Sequence, residues 1–338
     1  MKVSVVVATY NGERYIQQQL KSIFGQSELP DELIVSDDGS IDDTVLILRE
    51  FENASPFPMR VFVRDKPLGF ASNFASASLC ATGDVIVFCD QDDVWNADKI
   101  SEIKTYFLAN PEKELVLHDI AVCDSELHPM VASYFSYLTN QSHDPSYLVK
   151  GCATAIKRSL RDRAYPLPIN GRWTHDCRVH ALAHLSGTRG TIDRILCNYR
   201  VHSSNTSGYI LPKNNWKGAI AARLKKRSLD QSSFEYTTLQ FFSLRDISDS
   251  ELEEFYSAHL RRGQLALSES QRLQSSVIFS GLKDANDLLN KRSTIARLDS
   301  LCRRLIEYFK LAANGGYVDA GGNYSFAADI MKAFGRRK

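Results

Sequence analysis

The sequence predicts an α/β fold, a mostly parallel sheet with helices on both faces, followed by a mainly helical C-terminal region. Three observations carry this. Short, mainly apolar runs at residues 3–8, 33–35 and 85–88 each give way to apolar residues at helical spacing. Each run closes in a polar or acidic cluster, where parallel sheets bind their ligands. Beyond Ser207 only helical patterns remain.

The first run, Val3-Ser4-Val5-Val6-Val7-Ala8, is too short for a signal peptide and reads as a buried strand. Ile16, Leu20, Ile23 and Phe24 mark a helix after it, with Asn11 as N-cap. Leu33-Ile34-Val35 is the second strand. Leu48 and Phe51 lie on the next helix, with Asp42 and Asp43 in its first turn, where the helix dipole favours acids. Residues 60–64 give a third strand, and Phe70, Phe74 and Ala77 a third helix. Val85-Ile86-Val87-Phe88 is the fourth strand, and Ile100, Ile103 and Phe107 mark a helix that begins near Asn96. Residues 115–118, 153–156 and 191–196 read as further strands. A helix starting near Asp176 runs through Leu182 and Leu185 and ends at Gly187. Later helices are expected at 216–227, 248–260 and 282–311, the second opened by a Ser248/Glu251 capping box. A domain boundary is expected near 208. It separates a catalytic domain, 1–208, with a nucleotide half to about 110 and an acceptor half beyond it, from the region 209–338.

Composition narrows the function. The apolar fraction of 43% supports a sizeable core. A formal net charge of +1 argues against a surface built for nucleic acid. The seven cysteines include no C-x-x-C pair, so neither a zinc site nor a disulfide framework is suggested. Cys80, Cys89 and Cys152 read as reduced core residues of a cytoplasmic protein. No stretch reaches the roughly 20 apolar residues of a membrane-spanning helix.

The chemistry lies in the clusters. Asp90-Gln91-Asp92 follows a buried strand, and two carboxylates at that spacing can converge on a hard cation, Mg²⁺ or Mn²⁺. A solvated acidic turn capping a helix has the same pattern. Asp37-Asp38-Gly39-Ser40 closes the second strand; a carboxylate there can accept from a nucleobase imide or a ribose hydroxyl, or simply cap a turn. Thr9-Tyr10-Asn11 closes the first, and Tyr10 can stack on a base. Together the three strand ends suit a nucleotide and a metal.

These segments, in order and spacing, resemble the family 2 glycosyltransferases, which have the GT-A fold. The matching pieces are Val5 to Asn11, Asp37 to Thr44, and Gly83 to Trp95. The Asp90-Gln91-Asp92-Asp93-Val94-Trp95 form is most similar to the bacterial rhamnosyltransferase-like branch. The resemblance continues through Gly151, His175-Asp176 and Tyr199-Arg200-Val201-His202, with Asn205 and Gly208 after them. It implies an inverting, metal-dependent transfer from a nucleotide-sugar donor, first dTDP-L-rhamnose and second a UDP-sugar, to a glycan or lipid-linked glycan. It further implies that Asp38, with Ala8, Tyr10 and Asn73, lines the nucleoside site. Asp90 and Asp92 would serve ribose and metal, His202 metal or diphosphate, Arg200 the phosphates, and Asp176 would be the catalytic base. The chain departs from the branch at Cys177, where an aromatic residue is usual on the acceptor side.

A nucleotidyltransferase is a rival reading, but Ala8 to Arg14 lacks the glycine density of its phosphate loop. A catalytically inactive carbohydrate-binding protein is another, and the retained acids speak against it. Residues 213–227 carry six Lys or Arg and no acid, with Trp216, Ile220 and Leu224 at helical spacing. Such a helix suits peripheral contact with an anionic membrane at the inner face of the cell, or packing with a wet basic face. The C-terminal helices are expected to cover the acceptor site, to form a homodimer, or both.

Overall fold

The computed structural model describes residues 1–140, 145, 148–165, 174–203 and 205. The chain divides into two compact units, Met1–Tyr209 and Ile210–Lys338, and every described residue belongs to the first. The three expected C-terminal helices, the Ser248/Glu251 box, the basic segment 213–227 and Gly208 lie outside the described residues. Among the described residues no helix is long and apolar enough to cross a membrane.

The described elements run β1 (Val3–Thr9), α1 (Ile16–Phe24), β2 (Glu32–Asp37), α2 (Thr44–Ala54), β3 (Met59–Val63), α3 (Phe70–Leu79) and β4 (Val85–Asp90). They continue with β5 (Val94–Trp95), α4 (Lys99–Ala109), β6 (Leu115–Cys123), β7 (Pro129–Val131) and α5 (Tyr134–Asn140). After a 3₁₀ turn at Gly151–Ala153 come β8 (Thr154–Lys157), α6 (Arg158–Ala164), α7 (His175–Leu185) and β9 (Arg189–Arg200).

The strands form one sheet in the order β3-β2-β1-β4-β8-β6-β9-β5, with β7 on β6. The first four are parallel. Beyond β4 the sheet is mixed: β8 is antiparallel to both β4 and β6, β9 is parallel to β6, and β5 is antiparallel to β9. The expected parallel character therefore stops at the edge of the first half. The physical reason is that β8 enters the sheet from the far end.

Strands β2 and β6 are buried along their whole length and β1 along nearly all of it, as required of strands covered on both faces. Helix α3 packs on β1 and β2 and against α6 and α7, while α1 packs against α2 and β5. Ile16, Leu20 and Ile23 supply the inward stripe of α1, and Ile100, Ile103 and Phe107 that of α4. Phe74 meets Phe88 edge-on at 5.9 Å beneath the sheet end.

One expected cap and one expected first turn are placed differently. Asn11 does not cap α1, whose N-cap position is Tyr15. Instead Asn11 adopts a left-handed backbone (φ 47°), and its side chain accepts from the Ile41 N–H at 3.0 Å. Asp42 and Asp43 precede α2, which starts at Thr44, and Asp42 accepts the Thr44 N–H at 3.1 Å. A short polar residue competes for nearby backbone donors before the helix begins. Gly187 ends α7 as expected, at φ 68°.

Gly83, in the turn into β4, has no room for a side chain. A Cβ there would lie 2.6 Å from Ser4 Oγ and 2.8 Å from Ser4 N. Ser4 Oγ is itself fixed, donating to Glu32 and accepting from Gly83 N–H. Gly83→Ala should cost about 1–3 kcal/mol, the range for overpacking a closed site. A thermal melt checks this, and an unchanged midpoint would mean that the β1–β4 contact is looser than described.

Candidate active site

The site sits at the carboxyl ends of β1, β2 and β4, where β9 also ends. Asp37 is fully buried and organises the first wall. Its carboxylate accepts from Thr9 Oγ1 at 2.7 Å, Gly39 N–H at 3.1 Å, Ser40 N–H at 2.8 Å and Ser40 Oγ at 2.6 Å. That spends its lone pairs on the turn. Asp38 points the other way and accepts from the backbone of Leu68 at 2.7 Å and Gly69 at 2.8 Å. It therefore anchors the loop between β3 and α3, with Gly69 at φ 80°. Asn73 is buried and bonded on both sides, to Ser36 O and from Arg64 Nε. Tyr10 is half exposed above this wall, and Ala8 pairs with Ser36 on one side and Asp90 on the other.

Gln91 ties the turn after β4 to the end of β1. It accepts from Tyr10 N–H at 2.8 Å and donates to Tyr10 O at 3.1 Å. Gly12 makes room, because a Cβ there would stand 2.4 Å from Gln91 Oε1. Asp93 is fully buried and accepts the backbone N–H of Arg200 at 2.9 Å. Arg200 donates from Nε to Asp92 O at 2.7 Å, from one terminal nitrogen to Ser125 O at 2.5 Å, and from the other to Gln18 Oε1 at 2.6 Å. Its guanidinium is stacked over Tyr15 at 4.5 Å. Arg200 is thus a buried strap, not an open phosphate ligand.

The strap delivers His202. Its Nε2 lies 2.8 Å from Asp92 Oδ2, its ring stands 4.8 Å from the Tyr15 ring, and its N–H donates to Asn205 Oδ1 at 2.5 Å. Asp90 lies on the same turn. Burial, then the neighbouring Asp92 charge, push its carboxyl up to about 7, against the opposing pull of Lys150. The charge of Asp176 adds to the crowding. Two carboxylates and an imidazole make a donor set suited to Mg²⁺ or Mn²⁺, and the crowding is of the kind a divalent cation relieves.

Asp176 opens α7, capped by Thr174. Its Oδ1 accepts from Thr174 Oγ1 and from Cys177 N–H at 2.8 Å. His175 before it is buried in an aromatic cage, stacked on Phe74 at 4.2 Å with Phe88 and Phe70 edge-on. Burial holds its imidazole below the usual range, so it is neutral. Tyr165 Oη donates to His175 O at 3.0 Å. Cys177 is buried.

Asp92 and His202 are therefore in contact and Asp90 stands in the field of Asp92 and Asp176, while Asp38, Asn73 and Arg200 frame the site from behind. Gln91, Asp93 and Lys150 complete the frame, and no local sequence signal marks their contacts. Asp93, Cys152 and Cys197 also bring three buried donor atoms within 4.8 Å of one another. Cys197 Sγ stands 3.7 Å from Asp93 Oδ2, and Cys152 shares a hydrogen bond with Cys197. With Lys99 supplying positive charge nearby, these groups satisfy one another as an internal network.

The raised Asp90 carboxyl has a pH signature. The folded, metal-free state binds a proton at about pH 4 to 7 that the unfolded state does not, so this group's contribution to stability falls as pH rises through 7. The difference in melting temperature between wild type and Asp90→Asn should shift against wild type from pH 6 to pH 8 in chelator. A pH-independent difference would show that the carboxyl is not crowded.

Comparisons with known proteins identify the family. The family described as Glycosyl transferase family 2 matches residues 4–161. The dTDP-rhamnosyl transferase RfbG of Shigella flexneri is 39% identical over 218 residues, covering 60% of this chain and 73% of that protein. The uncharacterized glycosyltransferase alr2836 of Nostoc sp. is 25% identical over 249 residues, covering 70% of this chain and 73% of that protein. Among solved structures, S. aureus TarS 1-349 in complex with UDP-GlcNAc matches with a TM-score of 0.56 at 17% identity, over 99% of this chain and 91% of that one, which is a likeness of fold. With these residues at these strand ends, the chain belongs to glycosyl transferase family 2 and is a glycosyltransferase of GT-A fold.

Proposed function

We propose that the chain moves a sugar from a nucleoside-diphosphate donor to a hydroxyl of a glycan or lipid-linked glycan, with inversion at the anomeric carbon. The observation that carries this reading is the Asp92–His202 contact on the turn that also holds Asp90, whose carboxyl feels the charges of Asp92 and Asp176. The donor of first choice is dTDP-L-rhamnose, supported by the 39% identity to a protein named as a dTDP-rhamnosyl transferase; a UDP-sugar is second.

Each residue has a physical task. Tyr10 offers its exposed ring to the base, beside the loop that Asp38 holds. Each Asp38 oxygen keeps a further lone pair for a base or ribose donor. Asp90, Asp92 and His202 would hold a divalent cation, whose chemistry is to neutralise charge on the departing diphosphate. Asp176 takes the proton of the acceptor hydroxyl as its oxygen bonds to the anomeric carbon. The bond from that carbon to the diphosphate oxygen breaks, and the nucleoside diphosphate leaves with the electron pair. The Thr174 and Cys177 bonds fix the rotamer of Asp176 for this task.

Incubation with dTDP-L-rhamnose and UDP-sugars tests the reaction class. Release of free nucleoside diphosphate is expected, and release of pyrophosphate would mean nucleotidyl transfer instead. Asp176→Asn should lower kcat by about 10²–10⁴-fold, the usual worth of a positioned base. Its nucleoside-diphosphate affinity should stay close to wild type. A large loss of nucleotide binding would move Asp176 to the donor side.

A further inference from the structure

The topology places one cation at the mouth of this site that neither the motifs nor the family resemblance marks. Strand β8 runs antiparallel to β4, with Val87 opposite Ala155 and Val85 opposite Lys157. The chain just before β8 therefore lies beyond the carboxyl end of β4, next to Asp90. That chain is Lys150 and the Gly151–Ala153 turn, which packs on β4. Its backbone is pinned: Lys150 O accepts from Ala153 N–H at 3.1 Å and from Thr154 Oγ1 at 2.7 Å.

The ammonium of Lys150 stands 5.1 Å from the centre of the Tyr199 ring, at the end of β9, and the residue is half-buried. It thus lies between the two strand ends that carry Asp90 and His202. Lys99 also acts on Asp90, but it is fully buried, donates to Cys152 O at 2.6 Å and sits 3.9 Å over the Trp95 ring. Of these two lysines only Lys150 has solvent-facing surface from which its flexible stem can meet a ligand.

We propose that Lys150 is a donor-site cation that faces Asp90 when the site is empty and binds the diphosphate of the donor when it is filled. The proposal rests on the metal and donor reading above. A lysine suits the task because its ammonium acts on phosphate oxygens as a point charge with rotatable donors. The position gives its charge two opposite effects. Before the donor arrives it repels a divalent cation from the carboxylates. With cation and diphosphate both bound, it attracts the phosphates. A residue that only supports the fold gives neither effect.

Titration calorimetry on the full chain separates these. Wild type, Lys150→Met and Lys150→Arg are titrated with Mn²⁺ alone, then with pyrophosphate at saturating Mn²⁺, with melting curves as a check on folding. Lys150→Met should bind Mn²⁺ several-fold more tightly. It should bind pyrophosphate about tenfold more weakly, the size of one charge-assisted hydrogen bond. Lys150→Arg should restore pyrophosphate binding. Equal Mn²⁺ affinities in wild type and Lys150→Met, or equal pyrophosphate affinities, overturn the assignment while leaving the metal reading intact. A wild type that binds neither probe overturns the metal reading, and the Lys150 assignment with it.

Discussion

Arg200 donates its backbone N–H to Asp93 and its Nε to the carbonyl of Asp92, and through these bonds β9 is held against the turn after β4. Much of the site depends on that junction. The turn carries Asp90 and Asp92; the chain leaving β9 carries His202. They come from sequence positions more than a hundred residues apart, and this junction, with the β5–β9 pairing, brings an imidazole to Asp92. The same guanidinium reaches Ser125 and Gln18 and covers the Tyr15 ring, so α1 and the loop after β6 are tied to the same point. A buried arginine with all its nitrogens engaged is costly to break and hard to replace, since a lysine could not supply the planar fork.

The junction allows an arrangement that is unfavourable on its own. Asp90 and Asp92 crowd like charge at one turn, with Asp176 in range. A free loop would relax by swinging one carboxylate into water. Here the turn is held on both sides: Gln91 bonds both backbone groups of Tyr10, and Asp93 grips Arg200. The carboxylates stay where they are, and the strain appears as a raised proton affinity at Asp90. Pre-organised charge of this kind is what a transferase needs, because it need not be assembled when the donor binds.

Much of the first half was legible in the sequence, for a plain reason. Strands covered on both faces are nearly continuous apolar runs, so β1, β2 and β4 announce themselves, and their acidic ends mark the site. The second half was less so. Strands β5 and β7 have two and three residues, and α5 and α6 seven each, too short for a period to be seen. Asn11 looked like a helix cap because the residue type fits, yet its partner is Ile41, thirty positions on. Arg200 looked like a phosphate ligand because it stands beside His202. Yet β9 ends at Arg200, whose guanidinium turns inward to Ser125 O and Gln18, while His202 lies on the chain beyond the strand. Asp37 and Asp38 show the same split between a turn anchor and a loop anchor.

The change of strand direction at β8 sets which chain segments stand beside Asp90. Had β8 run parallel to β4, the turn before it would lie at the opposite end of the sheet, away from the acids. Running antiparallel, it brings Lys150 and Gly151 to Asp90. Gly151 in turn leaves space for the ring of His175, since a Cβ there would stand 3.0 Å from His175 Nε2. His175 fills the cage of Phe70, Phe74 and Phe88, and its place fixes the first turn of α7, on which Asp176 sits. On the proposed reading, the wall that meets the donor and the helix that carries the base are set by the same short turn.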